Sequence, residues 1–222
     1  MSPEEIALQT SPTRARIGAE TGVRLAAAGV PSVKSPNLTL WYIEKFLLEP
    51  DCAYLIEQID RNRYRSTTLS DTPDDNFRTS ESGNLNRWDE RIRAIDLRIC
   101  GLMGMDERQG ETLQGQRYAP GQYFLNHHDF FHTDQAYWPD QEKAGGQRTW
   151  TAMIYLNQPE AGGDTAFLSA GLRVPPRAGM LLMWNNMDAN GAPNIYASHE
   201  GSKVEAGVKY IVTKWFREGF WC

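Results

Sequence analysis

The sequence predicts a mainly β protein with supporting α-helices. Two observations predict this class. Apolar residues recur at helical spacing in the first half of the chain, and after about residue 111 short aromatic and β-branched segments alternate with clusters of Gly and Pro. Short strands separated by turns are typical of a β-sandwich or barrel rather than a βαβ array. With 222 residues, of which 41% are hydrophobic, the chain is long enough to bury one large core.

The N-terminal segment differs in composition from the rest of the chain. It mixes Ser, Thr, Ala and Gly and ends at the turn-like sequence GVPSVKSPN. We interpret residues 1–36 as an N-terminal arm that is loosely attached and carries one short helix. A single domain then covers residues 37–222.

The first part of that domain, about residues 45–105, is predicted to supply helical support. LTLWYIEKFL has the character of a strand, and EPDCAYLIEQIDRN combines an early Pro with apolar residues at helical spacing. A second helix is predicted for NRWDERIRAIDLRICGLMGM, because apolar residues recur there every three or four positions. These residues are Trp88, Ile92, Ile95, Ile99 and Leu102.

The predicted β core occupies about residues 111–222. Its strand-like segments are GQRYAPGQYFLNHHDFF, RTWTAMIYLN, GDTAFL, GLRVPP, GMLLMW and VKYIVTKWF. Gly and Pro punctuate nearly all of them, as expected for strands joined by tight turns.

Charge and hydropathy exclude several classes of protein. The net charge of −5 and the pI near 5.4 lack the basic character of a nucleic-acid binder. No segment has the roughly 18 to 20 apolar residues of a membrane span, and the N-terminus lacks the apolar run of a signal peptide. We therefore expect a cytoplasmic protein without nucleic-acid or membrane partners. Its three cysteines are widely spaced without a CxxC pair, which favours free thiols.

Three of the four histidines lie in the segment NHHDFFH. On a strand, alternate side chains share a face, so His127 and Asp129 point one way and His128 the other. His199, far downstream, could complete a set of two imidazoles and one carboxylate. That facial set is characteristic of non-haem Fe(II) oxygenases, which keep the opposite coordination positions open. We interpret His128 and His132 as structural, since the glutamate of a zinc HExxH motif is missing.

Lys209 supports the oxygenase interpretation over other metal sites. It lies in GVKYIVTKWF, a segment too apolar on both faces for an exposed strand. A buried ammonium is costly unless an anion meets it, and a small dicarboxylate such as 2-oxoglutarate bound at the metal would provide one. The alternative is a lysine on an edge strand that reaches solvent, and we interpret Lys214, on the opposite face, in that way.

The chain resembles the prolyl 4-hydroxylases within the iron and 2-oxoglutarate dependent dioxygenases. The resemblance covers about residues 37–222, and its segments occur in the family's order. They are FRTSESGNL, RYAPGQYFLNHHDFF, GGQRTWTAMIYLN, EAGGDTAFL, GLRVPPRAGMLLMW and SHEGSKVEAGVKYIVTKWFRE. It implies a double-stranded β-helix (jelly roll) core, with His127, Asp129 and His199 as iron ligands. It also implies that Lys209 binds the far carboxylate of 2-oxoglutarate.

The same resemblance implies roles for five further residues. Tyr118 and Thr165 fall at positions that hydrogen-bond the cosubstrate, and both offer hydroxyl groups suited to a carboxylate. Trp215 falls on the strand that lines the cosubstrate pocket and shares alternation parity with Lys209. Arg148 and Arg78 fall where the family contacts its peptide substrate.

Two departures from the family pattern concern the substrate side. Phe124 stands where members acting on peptidyl proline often have a Tyr, so one substrate hydrogen bond is missing there. The segment TDQAYWPDQEKAG, between the first ligands and Arg148, is long and aromatic, and we interpret it as a lid.

The resemblance implies an enzyme that uses Fe(II), 2-oxoglutarate and dioxygen, with ascorbate as a candidate reductant, to hydroxylate an unactivated C–H bond. The expected reaction is prolyl 4-hydroxylation in a peptide or protein, and a free amino acid or other small molecule is the alternative substrate. A metal-dependent hydrolase and a non-catalytic jelly-roll binding protein are the alternatives from other classes. Both would leave Lys209 without its anion.

Overall fold

A computed structural model describes residues 2–69 and 74–221 of the chain. The helices are α1 (Pro3–Ala7), α2 (Pro12–Ala27), α3 (Glu49–Arg61), α4 (Glu90–Met103) and α5 (Trp138–Lys143). The strands are β1 (Ser32–Ser35), β2 (Leu38–Ile43), β3 (Tyr64–Arg65), β4 (Glu81–Asn84), β5 (Gln114–Tyr118), β6 (Phe124–His127), β7 (Arg148–Tyr155), β8 (Ala161–Gly162), β9 (Thr165–Phe167), β10 (Leu172–Val174), β11 (Leu181–Asn185), β12 (His199–Gly201), β13 (Val204–Ala206) and β14 (Lys209–Arg217).

Within the described residues, the strands form one large and one small antiparallel sheet. The large sheet has eight strands in the order β1-β2-β11-β7-β14-β5-β4-β3, and the small sheet has four in the order β10-β9-β12-β6. A separate pair joins β13 to β8. Residues from both larger sheets share one buried apolar cluster, so the two sheets pack face to face. The fold is the predicted jelly roll.

Alternation along the central strands divides the core into two layers. On β7, Trp150, Ala152 and Ile154 pack with the helices, whereas Met153 and Tyr155 pack between the two sheets. Side chains of a strand alternate between faces, so a strand in the middle of this sheet is buried on both sides. The helix layer closes the outer face of the large sheet, and the space between the sheets remains for a site.

The helix α2 is longer and better packed than the loose arm that the sequence predicted. It runs for 16 residues, begins after the Ser11 cap, and buries Ile17, Thr21 and Leu25. Ile17 and Leu25 belong to the same apolar cluster as the helices α3 and α4. The expectation of a loosely attached segment with one short helix is therefore wrong for these residues, and the division of domains at residue 36 stays a prediction.

Helix α4 confirms the predicted helical pattern with one correction. It begins after Asp89, whose carboxylate accepts hydrogen bonds from the backbone N–H groups of Arg91 and Ile92, and it ends at Gly104 in the left-handed region. Trp88 precedes this cap and is 75% exposed, so the expectation that it belongs to the buried face is wrong.

Cys52 and Cys100 are buried free thiols, and Cys222 lies outside the described residues. In the described ranges, none of the helices has the length and apolar character required to cross a bilayer.

Candidate metal centre and cosubstrate cavity

The structure brings His127, Asp129 and His199 together. His127 is the last residue of β6, His199 is the first residue of β12, and the two are direct partners in the pairing of these strands. One ligand atom from each of the three residues lies within 4.8 Å of the other two. Asp129 follows the end of β6 in a bend, so strand alternation explains the position of His127 but only part of that of Asp129.

Both imidazole rings are oriented by the backbone two residues earlier. The Nδ1 atom of His127 lies 2.8 Å from the carbonyl oxygen of Leu125, and Nδ1 of His199 lies 3.1 Å from that of Ala197. A carbonyl oxygen can only accept, so Nδ1 carries the proton in each ring. Each Nε2 then presents a lone pair toward Asp129, which is the tautomer that a metal ion requires.

The electrostatic environment favours the neutral form of His127 and the ionised form of Asp129. Burial, with the nearby His199 ring, holds the pKa of His127 well below its usual value. Burial by itself would raise the pKa of Asp129, but the nearby His199, His127 and Arg148 side chains and the hydrogen bond from Thr151 together lower it overall. In these forms His127 and Asp129 can bind a cation.

A short hydrogen-bond chain orients the carboxylate of Asp129. The Thr151 hydroxyl donates to Oδ2 of Asp129 at 2.7 Å, and Nδ2 of Asn186 donates to Thr151 Oγ1 at 2.9 Å. All three side chains are buried. Because Thr151 accepts from Asn186, its own proton is directed at Asp129. The sequence analysis did not identify Thr151 or Asn186, since a Thr in a strand and an Asn after one carry no distinguishing signal.

The donor set fits a divalent iron. Two neutral imidazoles and one carboxylate converge on one point and leave the remaining positions open, whereas a closed structural site would have four protein ligands. Among the described residues, this is the one group of His, Cys, Asp and Glu side chains close enough together to hold a metal ion.

Lys209 lies in the same cavity as the three candidate ligands. Its side chain is 1% exposed, and no carboxylate forms an ion pair with it among the described residues. Its ammonium group lies 5.3 Å from the ring centre of Tyr118 and 5.5 Å from that of Tyr155. Burial lowers the pKa of Lys209 to about 7. The nearby Asp164 raises this pKa slightly but pairs with Arg173. The cavity therefore holds a buried ammonium that forms no ion pair among the described residues, which fits the far carboxylate of 2-oxoglutarate.

The structure places Tyr118, Thr165 and Trp215 around this cavity. The Tyr118 hydroxyl donates to Oε1 of Gln116 at 2.7 Å, and Thr165 accepts a hydrogen bond of the same length from Tyr155. Trp215 lies on the same face of β14 as Lys209, as its parity predicted. Their roles toward a cosubstrate stay predictions.

Arg78 and Arg148 line a groove of about 800 Å³ that also contains His127 and Asp129. Arg148 makes two hydrogen bonds to Glu111, at 2.6 and 2.7 Å, and its guanidinium stacks on Trp215. This ion pair with Glu111 is directed into the protein. It is not the surface ion pair that the position of Arg148 at the start of a strand also allowed. The role of Arg148 toward a peptide substrate stays a prediction.

Arg78 is 9% exposed and donates only to neutral oxygens among the described residues. Its guanidinium stacks on Phe124, whose ring in turn stacks on His127 with centroids 3.6 Å apart. The segment FRTSESGNL is partly a strand, β4, which pairs with β5. Arg78 precedes β4 and forms an isolated β-bridge with Phe124, which places it beside the candidate metal centre. Its substrate contact stays a prediction.

Lys214 contradicts its interpretation as an edge-strand lysine that reaches solvent. Its strand, β14, lies in the middle of the large sheet between β7 and β5. Lys214 is 1% exposed, and its ammonium lies 2.7 Å from a carboxylate oxygen of Asp96 on α4. The two lysines of β14 therefore face opposite layers of the fold.

The segment interpreted as a lid is anchored at its end. The Gln147 side chain accepts from the backbone N–H of Phe131 at 2.8 Å and donates to the carbonyl of the same residue at 2.6 Å. Arg217, buried against Glu111, donates to Gly146 and to Gln141 of α5. These bonds hold the segment in place, and a lid motion stays a prediction.

Comparison with known proteins agrees with this site. Residues 113–217 match the model of the 2OG-Fe(II) oxygenase superfamily. A putative prolyl 4-hydroxylase of Acanthamoeba polyphaga mimivirus is 30% identical over 168 residues, which cover 75% of this chain and 69% of the viral protein. Probable prolyl 4-hydroxylase 10 of Arabidopsis thaliana is 31% identical over 196 residues, which cover 78% of this chain and 66% of the plant protein.

A solved structure shows the same fold. The viral collagen prolyl hydroxylase of Paramecium Bursaria Chlorella virus-1, in its 2OG complex, superposes with a TM-score of 0.63 at 24% sequence identity. The match covers 80% of this chain and 95% of the viral chain. The solved structure shows the fold, and the sequence relatives show the family. The chain belongs to the prolyl 4-hydroxylase family of 2OG-Fe(II) oxygenases.

Proposed function

We propose that this protein is an Fe(II)- and 2-oxoglutarate-dependent dioxygenase that hydroxylates proline in a peptide or protein. One observation carries the proposal: the buried Lys209 ammonium forms no ion pair among the described residues and shares a cavity with His127, Asp129 and His199. Neither a hydrolase nor a non-catalytic jelly-roll protein explains that arrangement. Family membership is consistent with it.

In this proposal His127, Asp129 and His199 hold the ion, and Lys209 pairs with the far carboxylate of 2-oxoglutarate. When bound, the ion and cosubstrate supply the oxidising chemistry, in which 2-oxoglutarate and dioxygen yield succinate, carbon dioxide and a hydroxylated C–H bond. Lys209 contributes charge and hydrogen-bond donors in a buried site, where water screens charges little, so its interaction is strong. Tyr118 and Thr165 offer further hydroxyls at the cavity wall.

The chain's own residues orient the reactants and limit access of water. Thr151 and the Leu125 and Ala197 carbonyls fix the ligand side chains before any ion binds. The walls of the cavity include Trp184 and Trp215, which are largely buried. A preorganised, buried site of this kind reduces the solvent reorganisation that a reaction requires.

The groove beside the metal centre favours a peptide or protein over a free amino acid. At about 800 Å³ it is far larger than a single residue needs, and its lining includes aromatic and guanidinium groups, among them Arg78 and Arg148. We propose that the substrate chain lies in this groove and that the protein works in the cytoplasm. Hydroxylation of a free amino acid is the alternative.

The test measures succinate release and product mass. Purified protein with Fe(II), ascorbate and 2-oxoglutarate is expected to release succinate, and proline-containing peptides should stimulate it and become heavier by one oxygen atom. His199→Ala should abolish both signals. Glu200→Ala, at the next position of β12 and thus on its other face, is the matched control and should retain them. Equal succinate release from wild type and His199→Ala would contradict the proposal.

A further inference from the structure

The two candidate histidine ligands differ in their aromatic surroundings. His199 contacts two rings of the core, with its ring centre 5.3 Å from that of Phe167 and 4.9 Å from that of Trp184. His127 lies at the wall of the substrate groove, and its side chain is 14% exposed, against 8% for His199. Apart from the His199 ring, Phe124 is the aromatic contact of His127 within the described residues, with ring centres 3.6 Å apart and planes at 12°. The orientation of His127 therefore depends strongly on this one ring.

The ring of Phe124 is in turn held by Arg78. The guanidinium carbon of Arg78 lies 4.8 Å from the ring centre, within the range of cation–π contacts, and the two residues form an isolated β-bridge. Phe77 contacts the same ring edge-on, with ring centres 5.8 Å apart. Arg78, Phe124 and His127 thus form a continuous series of contacts, which we call the His127 stack.

Hydrogen bonds fix the guanidinium of Arg78 in the protein. Its N–H groups make four donations, all to neutral oxygens at 3.2 or 3.3 Å. The acceptors are the Thr67 carbonyl, Ser80 Oγ, Ser82 Oγ and Gln114 Oε1. Because the N–H edge of the group is used in this way and the side chain is 9% exposed, Arg78 presents its planar face to Phe124 from a fixed position.

The charge of Arg78 does not explain its place beside the metal centre. A guanidinium repels a divalent cation, so the charge by itself weakens metal binding. In the parts of the chain that the structure describes, no carboxylate pairs with Arg78, so an ion pair does not explain its place either. The site gains a rigid, planar group against Phe124, which a lysine at this position would not supply.

We propose that Arg78 is a positioning residue for the metal centre, which acts through Phe124 to fix the ring plane of His127. The hydrogen bond to the Leu125 carbonyl holds Nδ1 of His127, and the stack restrains tilting of the ring about that bond. Nε2 is then directed at the ion before the ion binds. This inference rests on the proposed function, whose metal centre it concerns, and it gives Arg78 a role apart from any contact with a peptide.

The test is a competition titration of the full chain with Co(II). Arg78→Lys keeps the charge, and so the repulsion of the ion, but loses the planar face, so the affinity for Co(II) is expected to fall at least about threefold. Phe124→Leu should lower it about tenfold, and Phe124→Tyr, which keeps the ring, should stay within about twofold of wild type. Arg98→Lys is the matched control, because Arg98 stacks at 4.6 Å on Phe46, a ring of the helix layer, and should leave the affinity unchanged.

A double-variant cycle separates the stack from other effects of Arg78. In the Phe124→Leu background, Arg78→Lys should change the Co(II) affinity by less than about twofold, because the ring that transmits its effect is gone. The visible absorption bands of bound Co(II) should also shift in Arg78→Lys and Phe124→Leu, and not in Arg98→Lys, since they report the geometry of the ligands. A general loss of stability would not shift them.

Wild-type Co(II) affinity in Arg78→Lys would overturn the inference, as would equal losses from Arg78→Lys in the two backgrounds. If Arg78→Lys does not fold, equal Co(II) affinities of Phe124→Leu and Phe124→Tyr would overturn it. A defect of Arg78→Lys confined to the KM for peptide would also overturn it, because Arg78 would then act on the substrate alone. Failure of the proposed function has a different signature: the expected order of Co(II) affinities is found, but no succinate is released with any peptide.

Discussion

The two lysines of β14 lie five residues apart and are equally buried, but only one has a protein partner. Lys214 faces the helix layer and pairs with Asp96 at 2.7 Å. Lys209 faces the space between the sheets, where no carboxylate pairs with it among the described residues, and its pKa is lowered to about 7 by burial. A buried cation with a partner contributes to the fold, and one without a partner indicates that a ligand supplies the missing charge.

The largest effect is expected on the Lys214 side. Asp96→Ala leaves a buried ammonium without its counter-charge, so the free energy of unfolding should fall by about 3 kcal/mol in urea denaturation. The double variant Asp96→Leu with Lys214→Met should recover much of that loss, because it removes both charges. If Asp96→Ala lowers the free energy of unfolding by less than about 0.5 kcal/mol, the ion pair with Asp96 does not stabilise the fold, and the contrast between Lys214 and Lys209 fails.

The opposite pattern is expected for Lys209. Lys209→Met removes an ammonium that lacks a partner, so the ligand-free protein should be as stable as wild type or more so. The dissociation constant for 2-oxoglutarate should rise about 100-fold, since one partner of a buried ion pair is lost. Calorimetry with Mn(II) in place of Fe(II) measures this without turnover. Lys203→Met, at an exposed lysine, is the control, and equal affinities in the two variants would refute the assigned role.

The lowered pKa of Lys209 predicts a dependence on pH that Lys209→Met lacks. The unfolded chain keeps this proton up to about pH 10.5, whereas the ligand-free folded protein releases it near pH 7. Between these values the unfolded state binds more protons, so the stability of the ligand-free protein should rise with pH relative to Lys209→Met.

Binding of 2-oxoglutarate should have the opposite trend, because the ligand pairs with the charged form of Lys209. Its affinity should weaken by up to about tenfold for each pH unit above 7. Calorimetric titrations of wild type and Lys209→Met across this range measure the effect. Parallel pH profiles for the two proteins would show that another group is responsible.

A smaller effect is expected at the buried carboxylate of the site. Thr151→Val removes the hydrogen bond to Asp129 while keeping the shape of the side chain, so metal affinity should fall about tenfold. Thr151→Ser should restore it, because the hydroxyl returns. Competition titration with Co(II) gives the affinities, and a loss in Thr151→Ser as large as in Thr151→Val would indicate a packing effect instead.

Local patterns predicted much of the fold. The apolar spacing of Ile92, Ile95 and Ile99 identified α4, since helical periodicity is a property of neighbouring residues. The same spacing misled at Trp88, where the pattern was extended past the Asp89 cap and the side chain is exposed. Lys214 was misinterpreted for a different reason: the position of β14 in the middle of the sheet depends on strand order, which periodicity does not contain.

The candidate site likewise contains residues that could be identified from the sequence and residues that could not. His127, Asp129, His199 and Lys209 could be identified because their residue types are rare or costly where they stand. The residues that orient them could not. Thr151 donates to Asp129 from a strand that is distant in sequence, and only the packing of the two sheets brings these residues together.

The anchoring of Phe131 by Gln147 has a consequence for variation in this enzyme. The side-chain amide of Gln147 satisfies both backbone groups of Phe131, as a neighbouring strand would, and it joins the two ends of the intervening 15-residue segment. Insertions, deletions and substitutions within that loop can therefore leave Phe131, two residues after Asp129, in place.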